Sequence, residues 1–181
     1  MFAGQLACEA VNFILKRIIK EERPRRIHGK GYGMPSSHAQ FVVFWSIALT
    51  LFLLVRHRPP PAVRNSHRPW SLAQRLLVSL GSQVVAAAVA WSRIYLGYHT
   101  PKQVLIGCLA GALSAIAWFC VTAVARDIGL ISWLLELPIV QWFRIRDLVV
   151  EEDLCQAGWE KWEDRKVASL QNKQKKQKKS Q

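Results

Sequence analysis

A chain of 181 residues that is 51% hydrophobic and 20% charged, yet carries a formal net charge of +13, must hold its apolar and basic residues in separate stretches. The length suits a single domain. The basic groups fall on both sides of long apolar blocks and do not gather into one stripe, which argues against a nucleic-acid-binding module.

The opening MFAGQLACEA has neither the charged start nor the small-residue cleavage site of a secretory signal, so no cleavable peptide is expected. An N-terminal helix is expected over 2–22. It runs toward Arg23 and stops there, because Pro24 disfavours the helical region for the residue before it. On such a helix Lys16 and Arg23, seven residues apart, share a face and can share a ligand. Two cations near a helix C-terminus can equally serve as a cap on its dipole. A basic loop with glycines follows, PRRIHGKGYGM.

Three uncharged blocks, 39–55, 76–92 and 103–125, approach or exceed the roughly 20 residues that cross a bilayer as a helix, and they are read as transmembrane spans. Ser36 or Ser37 suits the N-cap of the first of them, where the first-turn amides lack intrahelical partners. Free N–H groups at the positive end of a helix form a phosphate cradle, and His38 sits within it. The link RHRPPPAVRNSHRPW leads to the second span, which Trp70 and Trp91 bracket as an aromatic belt. SRIYLGYHTPKQ then sets Arg93 and His99 between two spans. There Thr100, Pro101 and Gln103 read as N-cap, N1 and N3 of a capping box. Gly107 with Gly111, and Ala86 with Ala90, offer small faces for close helix contact.

The segment 128–143 contains Glu136 and Pro138 and is read as a short span, packed helices or an interfacial element. From 148 to 181 the chain is a charged tail, solvated and without a core of its own. Its Lys178-Lys179-Ser180-Gln181 end reads either as a retrieval signal or as a solvated terminus attracted to anionic lipid. Cys8, Cys108, Cys120 and Cys155 have neither metal-site nor disulfide-framework spacing and are read as small packing residues. His28, His57 and His67 are read as loop residues without a catalytic part. The fold class is therefore all-α, a multi-pass transmembrane helical bundle. Nothing in the sequence fixes an oligomeric state.

Orientation follows from the arginines. The 56–75 link and the tail are strongly basic and belong in the cytosol, which puts the loops bearing His38 and His99 together on the other side. The basic residues from Lys16 to Lys30 then break the rule, as a cluster that binds an anion would. Two imidazoles, several cations and an amide-rich helix start supply what phosphoryl transfer requires: a nucleophile, an acid and fixed positive charge. Neither histidine loop contains a carboxylate. A hard cation at a phosphate usually wants oxygen ligands, so no metal or other cofactor is expected.

Lys16-x6-Arg23-Pro24, Pro35-Ser36-Ser37-His38 and Ser92-Arg93-x5-His99 resemble, in order and spacing, the three motifs of the phosphatidic acid phosphatase type 2 superfamily, which shares a helical core with vanadium haloperoxidases. GMPSSHAQF, SRIYLGYHT and WFRIRD resemble its dolichyl-diphosphatase branch, and the likeness runs from the first helix to about Asp147. The resemblance implies metal-independent hydrolysis of dolichyl diphosphate to dolichyl phosphate and inorganic phosphate on the lumenal face of the endoplasmic reticulum, which recycles the lipid carrier of protein N-glycosylation. It implies His99 as the nucleophile that becomes phosphohistidine, and His38 as the acid for the leaving group. Lys16, Arg23, Ser36, Ser37 and Arg93 would hold the phosphate.

The sequence departs from the superfamily pattern at two motif positions. Ser37 stands where many relatives have glycine, which keeps the backbone amide. Gln103 stands where the superfamily has an acidic partner four residues after the nucleophile, as the dolichyl branch also does. Gln103 is either the partner that orients His99 or only the cap. Relatives usually carry a further hydrophobic segment before the first-motif helix, whereas this sequence starts almost inside that helix. The readings left beside the first are a phosphatase of phosphatidate or a sphingoid phosphate, and an inactive membrane scaffold.

Overall fold

The structure, a computed structural model, describes residues 1–24, 31–56, 70–145, 158–159 and 161–169. Lys30, His28, His57, His67, Cys155, most of the 56–75 link and the Lys178-Lys179 end lie outside the described residues. Among the described residues there are helices and no strands: α1 Phe2–Ile19, α2 Ser37–Leu51 continued by a π-helical turn Phe52–Arg56, α3 Leu72–Tyr95, α4 Pro101–Asp127, α5 Leu130–Glu136 and α6 Pro138–Trp142.

Helix α1 ends earlier than expected. Lys20 takes a left-handed conformation (φ 52°) and its N–H donates to the Lys16 carbonyl, closing the helix before Glu21. Arg23 is therefore not on the helix, and the shared helical face expected for Lys16 and Arg23 does not exist. The physical reason is tertiary: Glu21 and Glu22 leave the helix to meet Gln103 and Lys102, and the Glu21 carbonyl accepts the Gly33 N–H at 2.7 Å.

Helices α3 and α4 both begin with complete capping boxes. Ser71 Oγ accepts the Gln74 N–H at 3.2 Å while Gln74 Oε1 accepts the Ser71 N–H at 2.8 Å. Thr100 and Gln103 repeat the pattern at 3.2 and 3.3 Å, with Pro101 at the first helical position. Because the caps stand outside the apolar runs, the helices are longer than those runs.

Ser37–Arg56, Leu72–Tyr95 and Pro101–Asp127, of 20, 24 and 27 residues, are long and apolar enough to cross a membrane. Their outward faces remain apolar, with Leu77, Val84, Trp91 and Leu105 all exposed. Among the described residues after Asp127 no helix is long enough to cross a membrane. Gly129 turns the chain, and Pro138, which lacks an N–H, divides the remainder into helices of 7 and 5 residues. In the charged stretch beyond, residues 161–169 are helical but exposed, with Lys166 over the Trp162 ring four residues back.

Helix α2 occupies the centre and packs against α1, α3 and α4. Cys8, Phe44 and Ala115 form one buried cluster, while Ala39, Ala90 and Val104 form another. The glycines of α4 permit the closest approach. A Cβ on Gly107 would lie 2.7 Å from the Ser36 carbonyl oxygen, and one on Gly111 would collide with the Gln40 carbonyl.

Two polar seams fix the register. Asn12 Nδ2 donates to Gln40 Oε1 (2.7 Å) and Gln40 Nε2 to the Cys8 carbonyl (2.8 Å), joining α1 to α2. Gln83 joins α3 to α2 through Thr50 and Ser46. At the far end Arg56 donates to Thr122 Oγ1 and the Phe119 carbonyl, and Arg75 to the Leu53 carbonyl. The ends of α2, α3 and α4 carrying these arginines are thus opposite the ends carrying the histidines.

Candidate active site

The turn between α3 and α4 is fixed at both ends. The Leu96 N–H donates to the Ser92 carbonyl, Gly97 turns at φ 71°, and the His99 N–H donates back to the Arg93 carbonyl at 3.2 Å. Thr100 then caps α4. Arg93 and His99 are therefore held by backbone, and the His99 side chain is buried. Arg93 also lies over the Tyr98 ring, 5.2 Å from its centre.

Gln103, 1% exposed, makes every bond its amide can support at this position. Its Oε1 accepts the Thr100 N–H (3.3 Å) and faces His99 Nδ1 (3.2 Å). Its Nε2 donates to Glu21 Oε1 (3.1 Å) and to the Glu22 carbonyl (2.9 Å). The backbone donor on one side and two acceptors on the other allow only one orientation of the amide. The cap and the histidine contact, alternatives in the sequence, thus coexist in one side chain. Since Oε1 can only accept, Nδ1 of His99 carries the proton and Nε2 keeps its lone pair.

Burial holds the His99 imidazole below its ordinary value of 6.5. The Gln103 bond and the Gly33 carbonyl oppose that shift, while the charges of Arg23 and Lys16 add to it. The ring is consequently neutral at physiological pH.

Ser36 is the N-cap of α2, but its side chain makes no cap bond. Its N–H donates to the Gln103 carbonyl at 3.2 Å, so this amide is not free. Its Oγ is buried and, like Nε of Arg23, has no hydrogen-bond partner among the described residues. The first helical bond of α2 runs from the Gln40 N–H to the Ser36 carbonyl, which leaves the amides of Ser37, His38 and Ala39 as the first-turn donors. Lys16 Nζ donates to Ser37 Oγ at 3.4 Å, and His38 is exposed at the helix start.

His38, His99, Lys16, Arg23, Ser36, Ser37, Arg93 and Gln103 thus converge at one end of the bundle. Arg23 arrives there through the turn after Lys20. Sequence reasoning passed over Glu21, Lys102 and Gly33. Glu21 Oε2 pairs with Lys102 Nζ at 3.1 Å, and the Gln103 and Lys102 bonds hold the Glu21 carboxyl below its ordinary value. The only local signal for Glu21 was its place two residues before Arg23. Among the described residues, no group of three or more His, Cys, Asp or Glu side chains has the arrangement of a metal site.

The PAP2 superfamily profile matches residues 1–127. A Neurospora crassa protein whose name assigns it provisionally as a dolichyldiphosphatase is 54% identical over 93% of this chain and 76% of its own length. Human dolichyldiphosphatase 1 is 42% identical over 81% of this chain and 61% of its own, and the Saccharomyces cerevisiae dolichyldiphosphatase 32% identical over 80% and 59%. The chain spans about three fifths of the human and yeast relatives it matches. No solved structure gives a significant match.

Proposed function

The chain belongs to the PAP2 superfamily, and from that premise we propose that it hydrolyses dolichyl diphosphate to dolichyl phosphate and inorganic phosphate. The observation that carries this reading is the convergence of His38 and His99 with Lys16, Arg23 and Arg93 at one end of a membrane bundle, with the Nδ1 proton of His99 fixed on Gln103. The names of the relatives supply the prenyl diphosphate.

His99 Nε2 attacks the terminal phosphorus. The P–N bond forms as the P–O bond to the lipid phosphate breaks, and His38 delivers its proton to the departing oxygen. Water then attacks phosphorus as the P–N bond breaks, gives its proton back to His38 and leaves as inorganic phosphate. Lys16, Arg23 and Arg93 supply the fixed positive charge that the transition state requires, and Ser36 and Ser37 offer hydrogen-bond donors to the transferring oxygens. Buried polar atoms without a protein partner, such as Arg23 Nε and Ser36 Oγ, are suited to an oxyanion.

The bilayer is the surrounding medium, and the site belongs on the lumenal side of the endoplasmic reticulum membrane with the C-terminus in the cytosol. Arg56 and Arg75 at the opposite end of the bundle support this orientation.

The test is hydrolysis of dolichyl diphosphate by purified protein in metal-free detergent buffer, with phosphatidate as the competing substrate. His38→Ala and His99→Ala are expected to lose essentially all turnover, and a labelled phosphohistidine should vanish in His99→Ala. Equal or better turnover of phosphatidate would overturn the substrate, and an intact preparation that neither turns over nor labels would overturn the reaction.

A further inference from the structure

Among the described residues the ring of the candidate nucleophile touches no carboxylate, yet the amide it touches does. His99 Nδ1 meets Gln103 Oε1 at 3.2 Å, and the same amide's Nε2 meets Glu21 Oε1 at 3.1 Å. The geometry points to Glu21 as a positioning residue for the reaction, supplying through the Gln103 amide the negative charge that balances the imidazole as it is phosphorylated. This deepens the phosphatase reading and rests on it.

Three features separate this arrangement from a chance surface contact. Gln103 is 1% exposed, and its orientation is set by the Thr100 N–H and the Glu22 carbonyl, so the amide cannot turn away. Glu21 is itself anchored, because its backbone carbonyl accepts the Gly33 N–H at 2.7 Å. Its carboxyl is held below the ordinary range by Gln103 first and Lys102 second, so it is charged at physiological pH. When Nε2 bonds to phosphorus, positive charge develops on the ring and the Nδ1 proton becomes more acidic. That proton stays on the ring, and the amide dipole, polarised by Glu21, leans toward it. The charges of Arg23 and Lys16, both cations, bear on the ring, and Glu21 is the carboxylate that hydrogen-bonds to its partner amide.

The size of the effect follows from distance. A unit charge about 8 Å away across an effective dielectric of about 20 changes a rate by up to about thirtyfold. Glu21 is about a third exposed, and Lys102 takes its other oxygen, which reduces the expectation to about tenfold.

Glu21→Gln keeps an acceptor for Gln103 while it removes the charge and, with it, the exposed ion pair to Lys102. The experiment compares kcat, KM and phosphohistidine formation for wild type, Glu21→Gln, Glu21→Asp and Glu21→Ala on dolichyl diphosphate, with thermal midpoints recorded in the same detergent. Expected are an about tenfold lower kcat and slower labelling in Glu21→Gln with KM unchanged, and recovery of most of the rate in Glu21→Asp. Wild-type kcat in Glu21→Gln would overturn the inference, whatever Glu21→Ala does, because Glu21 would then be only a tether. Equal losses in Glu21→Gln and Glu21→Asp with a lowered thermal midpoint would overturn it as well, in favour of a folding role. A wild type that neither hydrolyses nor labels would take down the phosphatase reading and this inference together, whereas a normal rate in Glu21→Gln takes down this inference alone.

Discussion

The amide of Ser36 donates to the carbonyl of Gln103 across 3.2 Å, binding the helix start that carries His38 to the helix start beside His99, backbone to backbone. Gly107, one turn further along α4, lies against the same residue. The spacing of the two imidazoles is therefore a property of the α2–α4 contact.

Gly107→Ala is expected to spread that contact. The new Cβ would stand 2.7 Å from the Ser36 carbonyl oxygen and 3.2 Å from its nitrogen, both backbone atoms with little freedom to move. A stability loss of about 1–3 kcal/mol is expected, together with reduced turnover in the fraction that folds. Gly81→Ala is the control: nothing lies within 4 Å of its Cβ, and alanine in the α3 interior should gain up to about 1 kcal/mol. Thermal midpoints in detergent, read beside turnover, separate the two.

The acid limb of kcat/KM should lie below pH 6.5. His99 attacks only when neutral, and burial lowers its proton affinity, so activity is lost as pH falls through the depressed value. In Gln103→Ala a bond that raises that value is gone. The limb should move to still lower pH while the plateau falls, because the ring is no longer oriented. Substrate ionisation is common to both proteins and cancels in the comparison. A limb shifted upward would contradict the assignment.

Gln103→Glu should be far worse than a conservative change suggests. The new carboxylate would put an oxygen where Nε2 now donates, facing Glu21 Oε1 and the Glu22 carbonyl. Like charges so placed raise the affinity of one for a proton or drive the pair apart. Adding Glu21→Gln should restore a donor at that point and recover activity, so the double variant should exceed the Gln103→Glu single. Steady-state rates of the two singles and the double measure the coupling.

Asn12→Ala should destabilise without approaching the phosphate groups. It leaves Gln40 Oε1, fully buried between α1 and α2, without its 2.7 Å donor. A loss of about 1–3 kcal/mol is expected, read as a lower unfolding midpoint in detergent.

The spans and the Thr100 cap could be read from sequence because both are local: an unbroken apolar run signals a lipid-facing helix, and a capping box needs only four consecutive residues. Ser71 to Gln74 carries the same local signature, but it precedes the apolar run and so escaped notice. The end of α1 was misplaced because Pro24 marks the last place a helix can stop, whereas bonds to residues far along the chain stopped it sooner. Glu21 and Gln103 are 82 residues apart, and no periodicity in either segment announces the other. The motif histidines could be found by spacing. The carboxylate behind them could be found only from the fold.

Gly33 lies against the Gln103 amide so closely that a Cβ would stand 2.9 Å from Nε2 and 3.0 Å from Oε1. Bare main chain thus roofs the one side chain that joins the imidazole to the carboxylate. Any larger residue there would pry the roof open and admit solvent, so tuning of the nucleophile depends on an atom that the loop between α1 and α2 does not possess at Gly33.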